Sequence, residues 1–248
     1  MSARPGLIGH VRPNGPSWRL DLGRAVVRKC SVSQMDNNVY LITCAATGER
    51  LLIDAADDAD RILGLLGEDA PPSAASDGAP APVEGQQGSA IGLRSARLEY
   101  LLTTHQHWDH HRALVAIRDA TGAQTLAGEA DADALPVTVD RRLVHADTIG
   151  VGDLRLAVIG LAGHTPGSVA LALRLPDQPT VIFSGDSLFP GGPGRTPETD
   201  AFANLMDDLE TRIFAVYDDD TIVLPGHGDN TTLGQERPSL PDWRTRGW

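Results

Sequence analysis

Apolar residues along the chain fall in short aliphatic and β-branched runs, each closed by glycine, proline or a polar cluster. Runs over Arg24–Lys29, Val39–Thr43 and Leu51–Ile53 predict strands, and the pattern across Asp57–Leu66 predicts a helix. A further strand is expected at Leu98–Thr103, then a helix from Arg112 to about Asp119. Shorter strands near Gln124–Leu126 and Asp147–Val151 lead to a second strand group at Leu154–Ile159, Val169–Arg174 and Thr180–Phe183. A helix over roughly Asp200–Tyr217 and a strand at Thr221–Leu224 close the series. Strands mixed with helices in this way suit an α/β chain with a sheet-on-sheet core and helices outside.

The periodicity fails between Glu68 and Ser95, where Ala70–Pro82 offers little to bury. That stretch reads as a Pro/Ala-rich surface insertion at about 68–95. It does not read as a linker, because nothing before it could fold alone. With 248 residues, 41% of them hydrophobic, residues 1–248 are expected to form one domain around one large core.

Composition adds limits. A net charge of −12 argues against a nucleic-acid partner, since such proteins carry a basic stripe. Lys29 is the only lysine, and arginine supplies the other cations. No apolar run reaches the length of a membrane span, and Met1–Gly6 lacks a secretory signature, so a cytoplasmic setting with no membrane partner is expected. Cys30 and Cys44 sit at strand-like positions and read as small buried hydrophobes, not as a disulfide. Oligomeric state is not legible.

The chemistry sits in one run. Residues 103–111 are Thr-Thr-His-Gln-His-Trp-Asp-His-His, placing His105, His107, Asp109 and His110 within six positions. Alternate residues of an extended backbone share a face, so His105 and His107 can point at one ion. Asp109 and His110, opening the next helical stretch, can turn toward a second. The plain alternative is a polar, solvated loop. Against it stand His164, Asp186 and His227, each preceded by glycine at the end of an aliphatic strand. His10 and His145 have no such spacing, His111 reads as a surface or supporting histidine, and Trp108 as a packing residue beside the site.

This constellation resembles the metallo-β-lactamase fold superfamily from about Val26 to Arg237. The resemblance implies an αββα four-layer sandwich with metals at one edge between the sheets. It implies that His105, His107 and His164 hold one ion, that Asp109, His110 and His227 hold another, and that Asp186 bridges them. Two divalent ions are the implied cofactors, zinc first, with iron or manganese as alternatives. Attack by a metal-bridging hydroxide is the implied chemistry, with Asp109 orienting it. Asp54, at the end of Leu51–Ile53, matches a family position whose carboxylate orients a metal-binding loop.

The segment Gly191-Gly192-Pro193-Gly194-Arg195 is similar to one in the glyoxalase II family, and Gly228–Arg237 resembles its compact members. Hydrolysis of a small acyl thioester is therefore the implied activity. About twenty residues follow His227, too few for the helical domain that grips glutathione in full-length members, so the carrier is left open. Arg195, behind its glycine-rich turn, could reach a carboxylate on the thiol portion. The alternatives are a mononuclear iron persulfide dioxygenase, or a lactone or phosphodiester hydrolase of the same fold. A true β-lactamase usually carries cysteine where Asp186 stands, and a non-catalytic member would be expected to have lost ligands.

Overall fold

The computed structural model describes residues 9–68 and 97–247; beyond Glu68, the expected insertion lies outside them. One sheet holds seven strands in sequence order: β1 (Trp18–Asp21), β2 (Ala25–Val32), β3 (Asn37–Cys44), β4 (Arg50–Ile53), β5 (Leu98–Thr103), β6 (Gln124–Gly128) and β7 (Arg141–Leu143). β1 to β4 pair antiparallel and β4 to β7 parallel. The other sheet runs from β8 (Thr148–Val151) through β9 (Leu154–Gly160), β10 (Val169–Leu173) and β11 (Val181–Gly185). A small hairpin, β12 (Leu188–Phe189) and β13 (Gly192–Pro193), intervenes before β14 (Ile222–Pro225) and β15 (Thr231–Thr232) complete that sheet.

Period-two alternation sorts the aliphatic side chains into layers. Tyr40, Ile42, Leu51 and Ile53 meet Leu171, Phe183 and Leu224 between the sheets. Their neighbours Val39, Leu41 and Leu52 face outward under α1 (Ala59–Gly67) and α2 (Leu114–Thr121). Ala170, Ile182 and Val223 of the second sheet face α3 (Thr199–Asp208), while α4 (Leu233–Glu236) and α5 (Leu240–Arg246) add Leu233 and Trp243 to that layer. Strands buried on both faces read as continuous apolar runs, which is why they stand out in the sequence. The result is the expected four-layer αββα sandwich.

Several elements differ from the sequence reading. β1 and β7 were not anticipated: β1 alternates half-buried with exposed residues at a sheet edge, and β7 has three residues. The helix expected from Arg112 begins at Leu114, after a separate 3₁₀ turn over Trp108–His110. The helix expected to Tyr217 changes after Asp208 to a π-helical stretch, Leu209–Phe214, with Ala215 N donating to the Glu210 carbonyl at 2.9 Å. That wider turn keeps Ile213 and Phe214 in the buried layer.

Candidate metal centre

Each candidate ligand sits just past a strand end on one edge of the sandwich. Asp54 follows β4, β5 leads into His105 and His107, and the 3₁₀ turn carries Asp109 and His110. His164 lies between β9 and β10, Asp186 follows β11, and His227 follows β14. The structure thereby joins residues up to 122 positions apart in sequence into three overlapping groups. These are His105, His107 and His164; His105, His110 and Asp186; and Asp109, His110 and His227. Within each group one donor atom per residue lies within 4.8 Å of the others.

The outer nitrogens show that these donors fit a cation. His110 Nδ1 faces Asp54 Oδ2 at 2.9 Å, His164 Nδ1 the Arg195 carbonyl at 2.6 Å, and His227 Nδ1 the Met35 carbonyl at 2.7 Å. His105 Nδ1 is 3.0 Å from the Thr104 hydroxyl, whose own proton goes to Asp54 Oδ2 at 2.8 Å. Each of these acceptors requires an Nδ1–H, so each Nε2 presents a lone pair inward. Those lone pairs converge: His110 and His227 Nε2 stand 3.1 Å apart, and His105 and His164 Nε2 stand 3.3 Å apart. His105 Nε2 is also 3.1 Å from His107 Nδ1. Facing lone pairs repel unless a cation lies between them. Asp186 points the same way, with Oδ1 buried and without a hydrogen bond and Oδ2 3.4 Å from His227 and 3.6 Å from His164.

Electrostatics divide the cluster. Burial opposes a charge on His110, but Asp186 and then Asp54 outweigh it and push its pKa up to about 10. His227 behaves alike: burial is overcome by Asp109 and Asp186, and its pKa also rises to about 10. Asp109 and Asp186 are lowered despite burial by these same histidines, with Asn37 assisting Asp109. His105 and His164 fall below the ordinary value, chiefly by burial. The two carboxylates thus raise the proton affinity of His110 and His227, the same attraction that a cation between those nitrogens would meet.

Asp54 is 2% exposed and bridges strand and ligand loop, taking the Thr104 amide on Oδ1 at 2.7 Å and His110 on Oδ2. Three supporting residues carry no sequence signal, because their partners are remote. Buried Asn37 donates to Asp109 Oδ2 at 3.0 Å and to the Asp109 carbonyl at 3.1 Å. Buried Asp131 ties the two histidine loops together through Gln106 N at 2.9 Å and Gly167 N at 2.7 Å. Lys29, the only lysine, is wholly buried and donates to the Gly228 carbonyl, the Gly9 carbonyl and Asn230 Oδ1 at 2.6–2.8 Å, fixing the turn after His227.

Burial brings Lys29 down from 10.5 to about 8, with Asp229 and Asp36 opposing the change. Between those values the unfolded chain holds a proton that the folded chain has released, so the penalty stands below pH 8 and is relieved as pH rises through the window. The unfolding free energy of the wild type minus that of Lys29→Met should therefore climb by up to about 3 kcal/mol from pH 8 to 10.5. A flat difference in denaturant titrations would show that the ammonium carries no desolvation penalty.

Trp108 corrects an expectation: it is 57% exposed, not packed, and the Arg112 guanidinium covers its ring at 3.8 Å while pairing with Asp57 at 2.7 Å. His111 faces the Gln106 carbonyl at 3.2 Å, and His10 pairs with Asp229, both apart from the cluster. Cys30 and Cys44 are buried free thiols, as expected. Arg195 has an exposed side chain and, with Gln106, Thr165 and Thr196, lines a cleft of about 440 Å³ that opens onto His107 and His164.

Among the described residues no helix is long and apolar enough to cross a membrane. Comparison with known proteins bears on the cluster directly. The chain is 32% identical over 160 residues to a hydroxyacylglutathione hydrolase of Jannaschia sp., a match covering 64% of this chain and 51% of that protein. It is 30% identical over 165 residues to the hydroxyacylglutathione hydrolase GloC of Haemophilus influenzae, covering 58% of this chain and 75% of GloC. The chain thus spans between about half and three quarters of these relatives. The crystal structure of ETHE1 from Myxococcus xanthus superposes with a TM-score of 0.65 at 28% identity, over 87% of this chain and 83% of that one. The family model described as the metallo-beta-lactamase superfamily matches residues 33–227, the span that carries every one of the seven converging donors. The chain belongs to the metallo-beta-lactamase superfamily.

Proposed function

We propose that this protein is a dinuclear metal-dependent hydrolase of small acyl thioesters, resembling glyoxalase II. The observation that carries this reading is the convergence of seven donors as two clusters with Asp186 between them. His105, His107 and His164 would hold one ion, and Asp109, His110 and His227 the other, with zinc the first candidate and iron or manganese next. Bound there, the metals would supply Lewis acidity and a water ionised near neutral pH.

The chain's own groups set the geometry around that chemistry. Asn37 holds Asp109 Oδ2 so that it can accept a hydrogen bond from the attacking water. Asp54 fixes the His110 ring and its tautomer, and the Arg195 carbonyl does the same for His164. The cleft beside His107 and His164 admits the substrate, with Arg195 at its rim. A thiolate leaves without protonation more readily than an alkoxide or amide. None of the seven donors is free to act as an acid, since each must be deprotonated to bind metal. The relatives named hydroxyacylglutathione hydrolase support the same substrate class. The iron persulfide dioxygenase reading asks for one ion instead of two, so the metal count separates the readings.

The test is metal content measured beside a panel of thioesters, lactones, phosphodiesters and persulfides. Two ions per chain with thioester turnover is the expected result. One iron per chain with oxygen uptake on a persulfide, or lactone turnover without thioester cleavage, would overturn the reading.

A further inference from the structure

We propose that Arg195 and Arg246 together seat the anionic end of the thiol carrier, in the cleft beside the β12–β13 hairpin. This rests on the thioester reading above and assigns the carrier a chemical class: a thiol bearing a carboxylate or phosphate group.

Several exposed guanidinium groups of this acidic chain are neutralised by carboxylates. Arg142 takes Asp133, Arg237 takes Asp219, and Arg244 takes Asp207 and Glu210. Arg195 and Arg246 are exposed, and neither side chain makes a hydrogen bond or ion pair among the described residues. Both line one cleft of about 320 Å³ with Phe189 and the glycine-rich hairpin turn. Two unpaired guanidinium groups lining one concavity of an acidic protein form a local anion attractor.

The backbone holds this arrangement. Trp243 is 3% exposed and packs on Phe214 at a ring separation of 6.3 Å, and the Arg244 ion pairs brace the same helix, so α5 is fixed just before Arg246. Arg246 Nη2 would lie 3.1 Å from a Cβ placed on Gly192, so the guanidinium rests over a peptide with no side chain in the way. Gly192 also has φ near +156°, which few residues other than glycine adopt. Arg195 lines this cleft and also the one reaching His107 and His164, so it joins the carrier seat to the metal edge. A substrate with its acyl carbonyl at the donors would thus extend its carrier past Arg195 toward Arg246.

The experiment uses one 2-hydroxyacyl group carried on glutathione, on coenzyme A and on the neutral thiol N-acetylcysteamine. Wild-type protein should prefer an anionic carrier over the neutral one by tenfold or more in kcat/KM, through KM, and lose that preference as salt rises. Arg246→Glu and Arg195→Ala should each cut the preference about tenfold, with KM moving far more than kcat, and Arg246→Lys should restore most of it. A preference confined to glutathione assigns carboxylate, and one confined to coenzyme A assigns phosphate. Calorimetric binding of glutathione alone, in wild type and Arg246→Glu, separates the two claims. If no thioester is cleaved yet binding falls tenfold in the variant, the anion seat stands and the hydrolase reading fails. Thioester turnover with no preference for charge, or a preference that survives Arg246→Glu in a folded variant, overturns the seat. If Arg195→Ala instead loses metal or thermal stability with the preference intact, Arg195 only secures its own loop and the proposal falls with it.

Discussion

Asp186→Ala is expected to lower the metal content from two ions per chain toward one and to remove nearly all hydrolytic activity, by roughly 10²–10³-fold or more. Asp186 is the one residue whose oxygens approach both clusters: Oδ1 lies 3.5 Å from His110, and Oδ2 lies 3.4 Å from His227 and 3.6 Å from His164. Its Oδ1 has no hydrogen-bond partner although it is buried, a costly state for a carboxylate unless a cation meets it. Removing the carboxylate leaves the facing His110 and His227 nitrogens without the charge that offsets a metal ion. The metal-free fold should suffer less, because the desolvation penalty of a buried carboxylate goes and His110 and His227 can release the protons it favours. Thermal unfolding with chelator and with added metal separates these effects: the gap between the two transitions should shrink in the variant. Elemental analysis showing two ions per chain in Asp186→Ala would remove the bridging role.

The sequence made the sandwich and its metal edge legible for a specific reason. Strands buried on both faces show as aliphatic runs, and Asp54, His105, His164, Asp186 and His227 all follow such runs directly. The residues that hold these donors in place were not legible. Asn37 reaches Asp109 across 72 positions, and Lys29 reaches Asn230 across 201, so nothing local marks either one. Trp108 was misread because its apolar character suggests burial, whereas a stacked guanidinium lets an indole stand in solvent. β1 and β7 escaped because edge strands with alternating exposure or three residues give weak periodicity. Arg246 gives no signal either. Only the docking of α5 beside the hairpin sets it near Arg195.

A single methyl group added at Gly226 should be nearly as damaging as loss of a ligand. A Cβ there would lie 2.1 Å from Asp186 Oδ1, 2.7 Å from His110 Cε1 and 3.3 Å from the Gly185 carbonyl carbon. The backbone cannot retreat easily, because Gly226 N donates to the Gly185 carbonyl at 2.9 Å and its own carbonyl accepts from Asn38 N at 2.7 Å. Gly226 does not adopt a positive φ, so alanine meets no backbone penalty and the clash alone is tested. Overpacking of this kind costs about 1–3 kcal/mol when neighbours shift. Here the neighbours that must shift are Asp186 and His110 themselves. Gly226→Ala should therefore lose most of the ion held by Asp109, His110 and His227, with a fall in kcat of at least about 100-fold. Gly228 gives the contrast two residues on: its φ is +64° and a Cβ would meet nothing within 4 Å. Gly228→Ala should cost stability, about 1–2 kcal/mol, with both ions retained. Metal titration of the two variants side by side distinguishes occlusion of the cradle from strain in the turn. Two tightly held ions in Gly226→Ala would mean that the space facing Asp186 and His110 is not where metal sits.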